Sequence, residues 1–128
     1  METNPKVPVA LVVDDDPEML GTLVRCLEAD GYEVLAANSR DEVESIANEA
    51  DRIDVLVTDI FLGDGWGGEV AVRVRQDHPE LAVVFISGRA QEDPVLRHGI
   101  QEHMVFLEKP FTYSALTEAV LRARSGSG

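Results

Sequence analysis

The chain has 128 residues, 45% of them hydrophobic, with 24 acids against 11 bases and a formal net charge of −13. That length fits one domain with one core, and no apolar run approaches the ~20 residues needed to cross a bilayer. A surface this acidic, with no basic stripe to offset it, repels nucleic acid and anionic membranes, and the single cysteine, Cys26, excludes an internal disulfide framework.

The start, Met1-Glu2-Thr3-Asn4-Pro5-Lys6, lacks the basic stretch and apolar core of a signal peptide, so a cytoplasmic location is expected. The apolar run Val9–Val13 predicts a first strand. Asp16-Pro17 follows, an N-cap acid with proline at the first helical position. Met19, Leu20, Leu23, Val24 and Leu27 then form a helical stripe that ends near Gly31. Cys26 falls in this pattern as a buried, inert thiol. A short second strand is predicted over 32–36. Ser39 can cap the next helix, with Glu42 three residues on as a capping box, and Val43, Ile46, Ala47 and Ala50 as its buried face. Strand three is predicted over 53–58, strand four over 81–86 and strand five at Met104–Leu107. Thr112 can cap a last helix carrying Leu116, Ala119, Val120 and Ala123 on one face.

Two segments need an argument beyond periodicity. Over 69–75, Val70, Val72 and Val74 alternate as in a strand. A helix is still predicted there, because parallel strands need a crossover of about a dozen or more residues between them. Over 89–101, Pro94 and Gly99 leave room only for a short or distorted helix. The glycines Gly63, Gly65, Gly67 and Gly68 predict a permissive, mobile loop. The segment 125–128, Ser-Gly-Ser-Gly, is expected to be a flexible tail beyond a domain over 7–124. Strands rich in valine, leucine and isoleucine, alternating with helices, predict an α/β fold. It is a doubly wound, flavodoxin-like parallel sheet of five strands in the order 2-1-3-4-5.

In such a sheet, ligands and chemistry gather outside the carboxyl ends of the strands. Asp14 and Asp15 follow strand one, Asp59 strand three, Ser87 strand four and Lys109 strand five. Carboxylates brought close raise one another's pKa, and a bound cation removes that conflict. Hard oxygen ligands suit Mg²⁺, which keeps several waters and is shared with phosphate. No His/Cys set competes, since His78, His98 and His103 lie apart. A metal, an ammonium and a hydroxyl together stabilise the oxygens of a transferring phosphoryl group. Asp59 stands alone on the central strand and is the candidate nucleophile, giving an aspartyl phosphate. Asp14 and Asp15 are the candidate metal ligands.

These residues resemble the receiver domains of two-component response regulators over nearly the whole chain. The likeness rests on Val12-Val13-Asp14-Asp15-Asp16, Val57-Thr58-Asp59, Ile86-Ser87-Gly88 and Leu107-Glu108-Lys109-Pro110-Phe111, in that order and at matching spacings. The segments around Val95–Ile100 and Phe106–Thr112 are also similar to receivers of hybrid histidine kinases. The resemblance implies that Asp59 accepts a phosphoryl group from a histidine kinase or histidine phosphotransfer protein, with Mg²⁺ held by Asp14, Asp15, Asp59 and the backbone carbonyl of Phe61. It implies Ser87 and Phe106 as the switch, a downstream protein target, a monomer or phosphorylation-dependent dimer, and a Lys109-Pro110 bond that is often cis. Phe106, at the family's aromatic switch position, lacks a hydroxyl. Leu62-Gly63 stands where the family usually has Met-Pro.

Two other classes share parts of this pattern. Asp14-Asp15-Asp16 contains the Asp-x-Asp of haloacid dehalogenase-type phosphatases, but the later acidic pair is missing: beyond Lys109 only Glu118 is acidic. A phosphorylation-independent interaction module or a flavin carrier is the other. The complete acidic set argues against degeneration, and 5% aromatic residues with no phosphate-cradling Ser/Thr loop argue against flavin. The expected protein is a signalling phosphoacceptor rather than a turnover enzyme.

Overall fold

Short runs of β-branched and aliphatic residues make the centre of the molecule. The computed structural model describes residues 7–62, 65–86 and 103–126, with Phe61 and Trp66 described by their backbone alone. Strand β1 is Val9–Val13, helix α1 Pro17–Ala29, β2 Glu33–Ala37, α2 Arg40–Glu49 and β3 Val55–Asp59. A two-residue pair, β4 Phe61–Leu62 and β5 Gly65–Trp66, precedes α3 at Gly67–Asp77. Then come β6 at Ala82–Ile86, β7 at Met104–Leu107 and α4 at Tyr113–Ser125. The main sheet is parallel in the order β2-β1-β3-β6-β7, which is 2-1-3-4-5 when its five strands alone are numbered. The doubly wound, flavodoxin-like fold expected from the sequence is the fold observed.

Successive side chains of a strand point to opposite faces, and here both faces are covered. Leu11, Val13, Leu56, Val83 and Phe85 pack with Val43 and Ala47 of α2 and Val70, Ala71 and Val74 of α3. Ala10, Val12, Val55, Val57, Val84 and Ile86 pack with Leu23 and Leu27 of α1 and Leu116, Ala119, Val120 and Ala123 of α4. Strands buried on both sides need no polar alternation, which explains their unbroken apolar runs.

The helix starts follow their caps. Asp16 accepts from Glu18 N–H, with Pro17 opening α1. Ser39 accepts from Glu42 N–H at 3.3 Å, and the Glu42 carboxylate accepts from the N–H of Asn38 at 2.8 Å, one residue before the cap. Thr112 accepts from Ala115 N–H at 3.1 Å. In α3, Val70 and Val74 are buried while Val72 is 47% exposed. The alternating valines are therefore on a helix, as the crossover argument requires.

Five expectations shift. Strand two begins at Glu33 rather than 32, and strand four at Ala82 rather than 81. Strand three is Val55–Asp59 rather than 53–58, because its pairing with β1 starts at Ala10↔Val55. Ile53 is buried all the same. The glycine-rich stretch after Asp59 includes an antiparallel pair, Phe61↔Trp66 and Leu62↔Gly65. Two pairs are too short to leave a period in the sequence. Finally, α4 runs to Ser125 and Gly126 caps it with φ of 82°, so these two residues belong to the helix end. The helix expected over 89–101 lies outside the described residues. Among the described residues, no helix is long and apolar enough to cross a membrane.

Candidate functional site

Parallel pairing brings the carboxyl ends of β1, β3 and β7 to one edge of the sheet. Asp14 is the first residue past β1, Asp59 is the last of β3, and Lys109 lies two past β7. Lys109 Nζ donates to Asp59 Oδ2 at 2.8 Å and stands 3.9 Å from Asp14 Oδ2. The structure thus gathers three of the sequence-predicted residues into one crevice. Asp15 is the next residue along from Asp14 and is exposed. Ser87 lies outside the described residues. Phe61 begins β4, two residues past Asp59, with only its backbone described.

Asp14 is almost wholly buried at 1% exposure. Its Oδ1 accepts from the N–H of Asp16 at 2.9 Å. Its Oδ2 is buried without a hydrogen-bond partner. Burial pushes the Asp14 carboxyl above the ordinary carboxylate value, and the charges of Asp59 and Asp15 push the same way. The Asp16 N–H and the Lys109 ammonium only partly offset this. For Lys109, burial pulls the pKa down, but the hydrogen bond to Asp59 and the charges of Asp59, Asp14 and Asp16 outweigh it, so the net shift is upward. The Asp14 shift is first a burial effect, while the upward shift of Lys109 reflects the carboxylates gathered around its one ammonium.

Among the described residues, no group of three His, Cys, Asp or Glu side chains forms a ready metal cage. The expected trio of Asp14, Asp15 and Asp59 is therefore not drawn around a single point: Asp59 is turned to Lys109 and Asp15 faces solvent. The donor chemistry still fits Mg²⁺. An orphaned, buried carboxylate oxygen beside a second carboxylate is a hard, anionic surface, and Mg²⁺ needs only one or two carboxylates because it keeps much of its water.

Phe106, the expected switch aromatic, is half-buried in β7 and stacks on Phe85 of β6, with ring centroids 5.5 Å apart and planes at 26°. The Lys109-Pro110 peptide is cis. Two residues near Asp59 were missed in the sequence. Thr58 is the third buried polar residue among those described, with Asp14 and Asp59. Gly67, at the start of α3, lies against the backbone of Asp59. A hydroxyl directly before the candidate nucleophile, inside an apolar run, was the available signal for Thr58.

The model of the response regulator receiver domain matches residues 10–121. The chain belongs to this family. This receiver is 31% identical over 113 residues to the sensor kinase CckA of Brucella abortus, covering 88% of this chain and 12% of the kinase. The solved receiver domain of the hybrid histidine kinase CckA aligns with a TM-score of 0.75 at 29% identity, over 91% of this chain and 98% of that one. The expected likeness to receivers of hybrid kinases is borne out. A response regulator receiver protein from Sinorhizobium medicae aligns with a TM-score of 0.84 at 26% identity, over 98% of this chain and 100% of the other. A response regulator protein from Burkholderia pseudomallei, solved with a phosphorylated aspartic acid, a calcium ion and citrate, aligns at 0.73 with 25% identity, over 92% and 69%. The chain spans between 12% and 55% of the first curated relatives it matches. The family is one of two-component signalling domains, not of catalysts, and its members generally bind Mg²⁺ and partner with histidine kinases and downstream effectors. The phosphatase reading gives way to this membership.

Proposed function

We propose that this receiver accepts a phosphoryl group on Asp59 from the phosphohistidine of a histidine kinase or histidine phosphotransfer protein, with Mg²⁺, and then switches a surface that binds a downstream protein. One observation carries the reading: Lys109 Nζ sits 2.8 Å from Asp59 Oδ2, beside a buried Asp14 whose Oδ2 has no hydrogen-bond partner. A nearly dry carboxylate held by an ammonium, next to a second, buried carboxylate that is only partly compensated, is costly unless the site is used.

In the step, an Asp59 carboxylate oxygen attacks phosphorus and an O–P bond forms. The P–N bond to the donor imidazole breaks, and the leaving nitrogen keeps the electron pair and is protonated. Lys109 turns from the carboxylate to a phosphoryl oxygen, and Ser87 donates its hydroxyl to another. Asp14, Asp15, Asp59 and the Phe61 carbonyl would hold the metal. When bound, Mg²⁺ offsets charge on the phosphoryl oxygens and lets two anions approach. The phosphorylated aspartic acid of the Burkholderia pseudomallei relative supports the same outcome here. Ser87 and Phe106 then relay the change, with Phe106 acting through packing because it has no hydroxyl. The protein works as a cytoplasmic monomer or a phosphorylation-dependent dimer.

The test is labelling. With Mg²⁺ and a cognate kinase or a small acyl-phosphate donor, the chain should acquire a phosphoryl group labile to acid, alkali and hydroxylamine, and Asp59→Asn should not. Labelling retained in Asp59→Asn, or absent from the parent with every donor tried, refutes the assignment.

A further inference from the structure

Asp59 ends a strand, and ends of strands fray. The register between β1 and β3 closes at Val13↔Thr58, one residue short of Asp59. The peptide that follows Asp59 is nonetheless held on several sides. Its N–H, from Ile60, donates to the Ile86 carbonyl of β6 at 3.3 Å. Its carbonyl, that of Asp59, accepts the hydroxyl of Thr58 at 2.9 Å. Gly67 closes over the same carbonyl: a Cβ there would lie 2.3 Å from Asp59 O, which real side chains do not tolerate. The Gly67 N–H also donates to the Ile60 carbonyl at 2.7 Å.

We infer that Thr58 and Gly67 are positioning residues for Asp59: the buried hydroxyl and the bare glycine surface clamp its carbonyl and so aim its carboxylate at Lys109. This rests on Asp59 being the phosphoacceptor. Thr58 is wholly buried, so its hydroxyl carries a desolvation cost that a valine would avoid. The hydroxyl finds its acceptor in the peptide group of the reactive residue. A glycine is required at 67 by the approach of α3 to that same oxygen, not by its φ. Misplacement of a reacting group by about 1 Å can slow a reaction by as much as about 100-fold.

The experiment uses Thr58→Val, Thr58→Ser and Gly67→Ala in the full chain, with Mg²⁺ and acetyl phosphate as donor. Thr58→Val is expected to label at least about tenfold more slowly, and Thr58→Ser, which keeps the donor, within about twofold of the parent. Gly67→Ala is expected to slow labelling as well; should it not fold, the two Thr58 variants carry the test. A crystal structure of Thr58→Val is the second measurement, with the Lys109 Nζ to Asp59 Oδ2 separation expected beyond about 3.5 Å. Labelling of Thr58→Val at the parental rate with the ion pair intact overturns the inference, and so does an equal slowing of Thr58→Ser. If the parent takes no label yet the separation lengthens in Thr58→Val, the acceptor role falls and the positioning role stands. If the parent labels normally and Thr58→Val matches it, the reverse holds.

Discussion

The ammonium of Lys109 meets the carboxylate of Asp59 at 2.8 Å across 50 positions of sequence. The contact is unequal in its surroundings: the Lys109 side chain is 36% exposed and that of Asp59 12%. Lys109 also faces Asp14 at 3.9 Å. One cation between two carboxylates leaves a net negative crevice, and the predictions at the site follow from that imbalance.

Lys109→Ala should leave Mg²⁺ binding largely intact, because the carboxylates remain. Without metal it should lower stability by about 1 kcal/mol, a figure discounted for the exposure of the lysine. Urea unfolding with and without Mg²⁺ measures this, and added Mg²⁺ should recover most of the loss. The phosphorylated variant should also lose its gain in affinity for the downstream partner. Equal partner affinity in the two phosphorylated proteins contradicts the assigned role.

Asp14 should oppose stability at neutral pH. Its folded pKa is raised above the ordinary 3.8, so the native state holds the proton more tightly than the unfolded chain. The stabilisation is complete below the unfolded value and is lost as pH rises through the raised folded value. Asp14→Asn should therefore unfold about 3 °C higher in metal-free buffer near pH 7, for about 1 kcal/mol gained. Its stability should also vary less with pH above 3.8. In the parent, Mg²⁺ at about 100 times its dissociation constant should add about 2.7 kcal/mol; in Asp14→Asn that response should nearly vanish. A lower midpoint for metal-free Asp14→Asn than for the parent counts against the argument.

Phe106→Ala removes a half-buried ring from its stack on Phe85. The expected loss is about 2 kcal/mol, below that of a fully buried phenylalanine. Phe106→Leu should lose about 1 kcal/mol while abolishing ring-current shifts at Phe85 in NMR spectra. If packing is the relay, both variants should still accept label but bind the downstream partner with altered affinity.

Tyr113 ties the start of α4 to the end of α1, its hydroxyl donating to the Asp30 carboxylate and lying 3.4 Å from the Cys26 carbonyl. The hydrogen bond to Asp30 is the main cause that raises its phenol above the ordinary 10.0. The folded pKa is the higher one, so this tie contributes below the unfolded value and is lost as pH climbs through the raised value. The phenolate absorbance of Tyr113, taken as the parent minus Tyr113→Phe, should titrate later in the folded protein than in urea. Coincident curves refute it.

Val72 should tolerate aspartate and its neighbours should not. Val72 is 47% exposed, while Val70 and Val74 are buried. Val72→Asp should change stability by less than about 0.5 kcal/mol, and Val70→Asp or Val74→Asp should cost more than about 3 kcal/mol. Thermal unfolding of the three variants distinguishes a helix here from a strand, in which all three would face the same way.

The sequence by itself determined what depends on neighbours along the chain. Apolar runs set the strands, Asp16, Ser39 and Thr112 set three helix starts, and the need for a crossover made 69–75 helical against its own alternation. It also put Asp14, Asp59 and Lys109 at the ends of strands, which in a parallel sheet means the same edge. Strand limits slipped by a residue or two because they depend on the partner's register, and the β4–β5 pair left no period to find. Tertiary structure alone decided that Lys109 takes Asp59 rather than Asp14, that Asp14 keeps a buried oxygen without a hydrogen bond, and that Gly67 rests on the carbonyl of Asp59. Those are distances between segments far apart in the chain. They are set by sheet register and twist and by the path of the α3 backbone, and no local window of residues contains them.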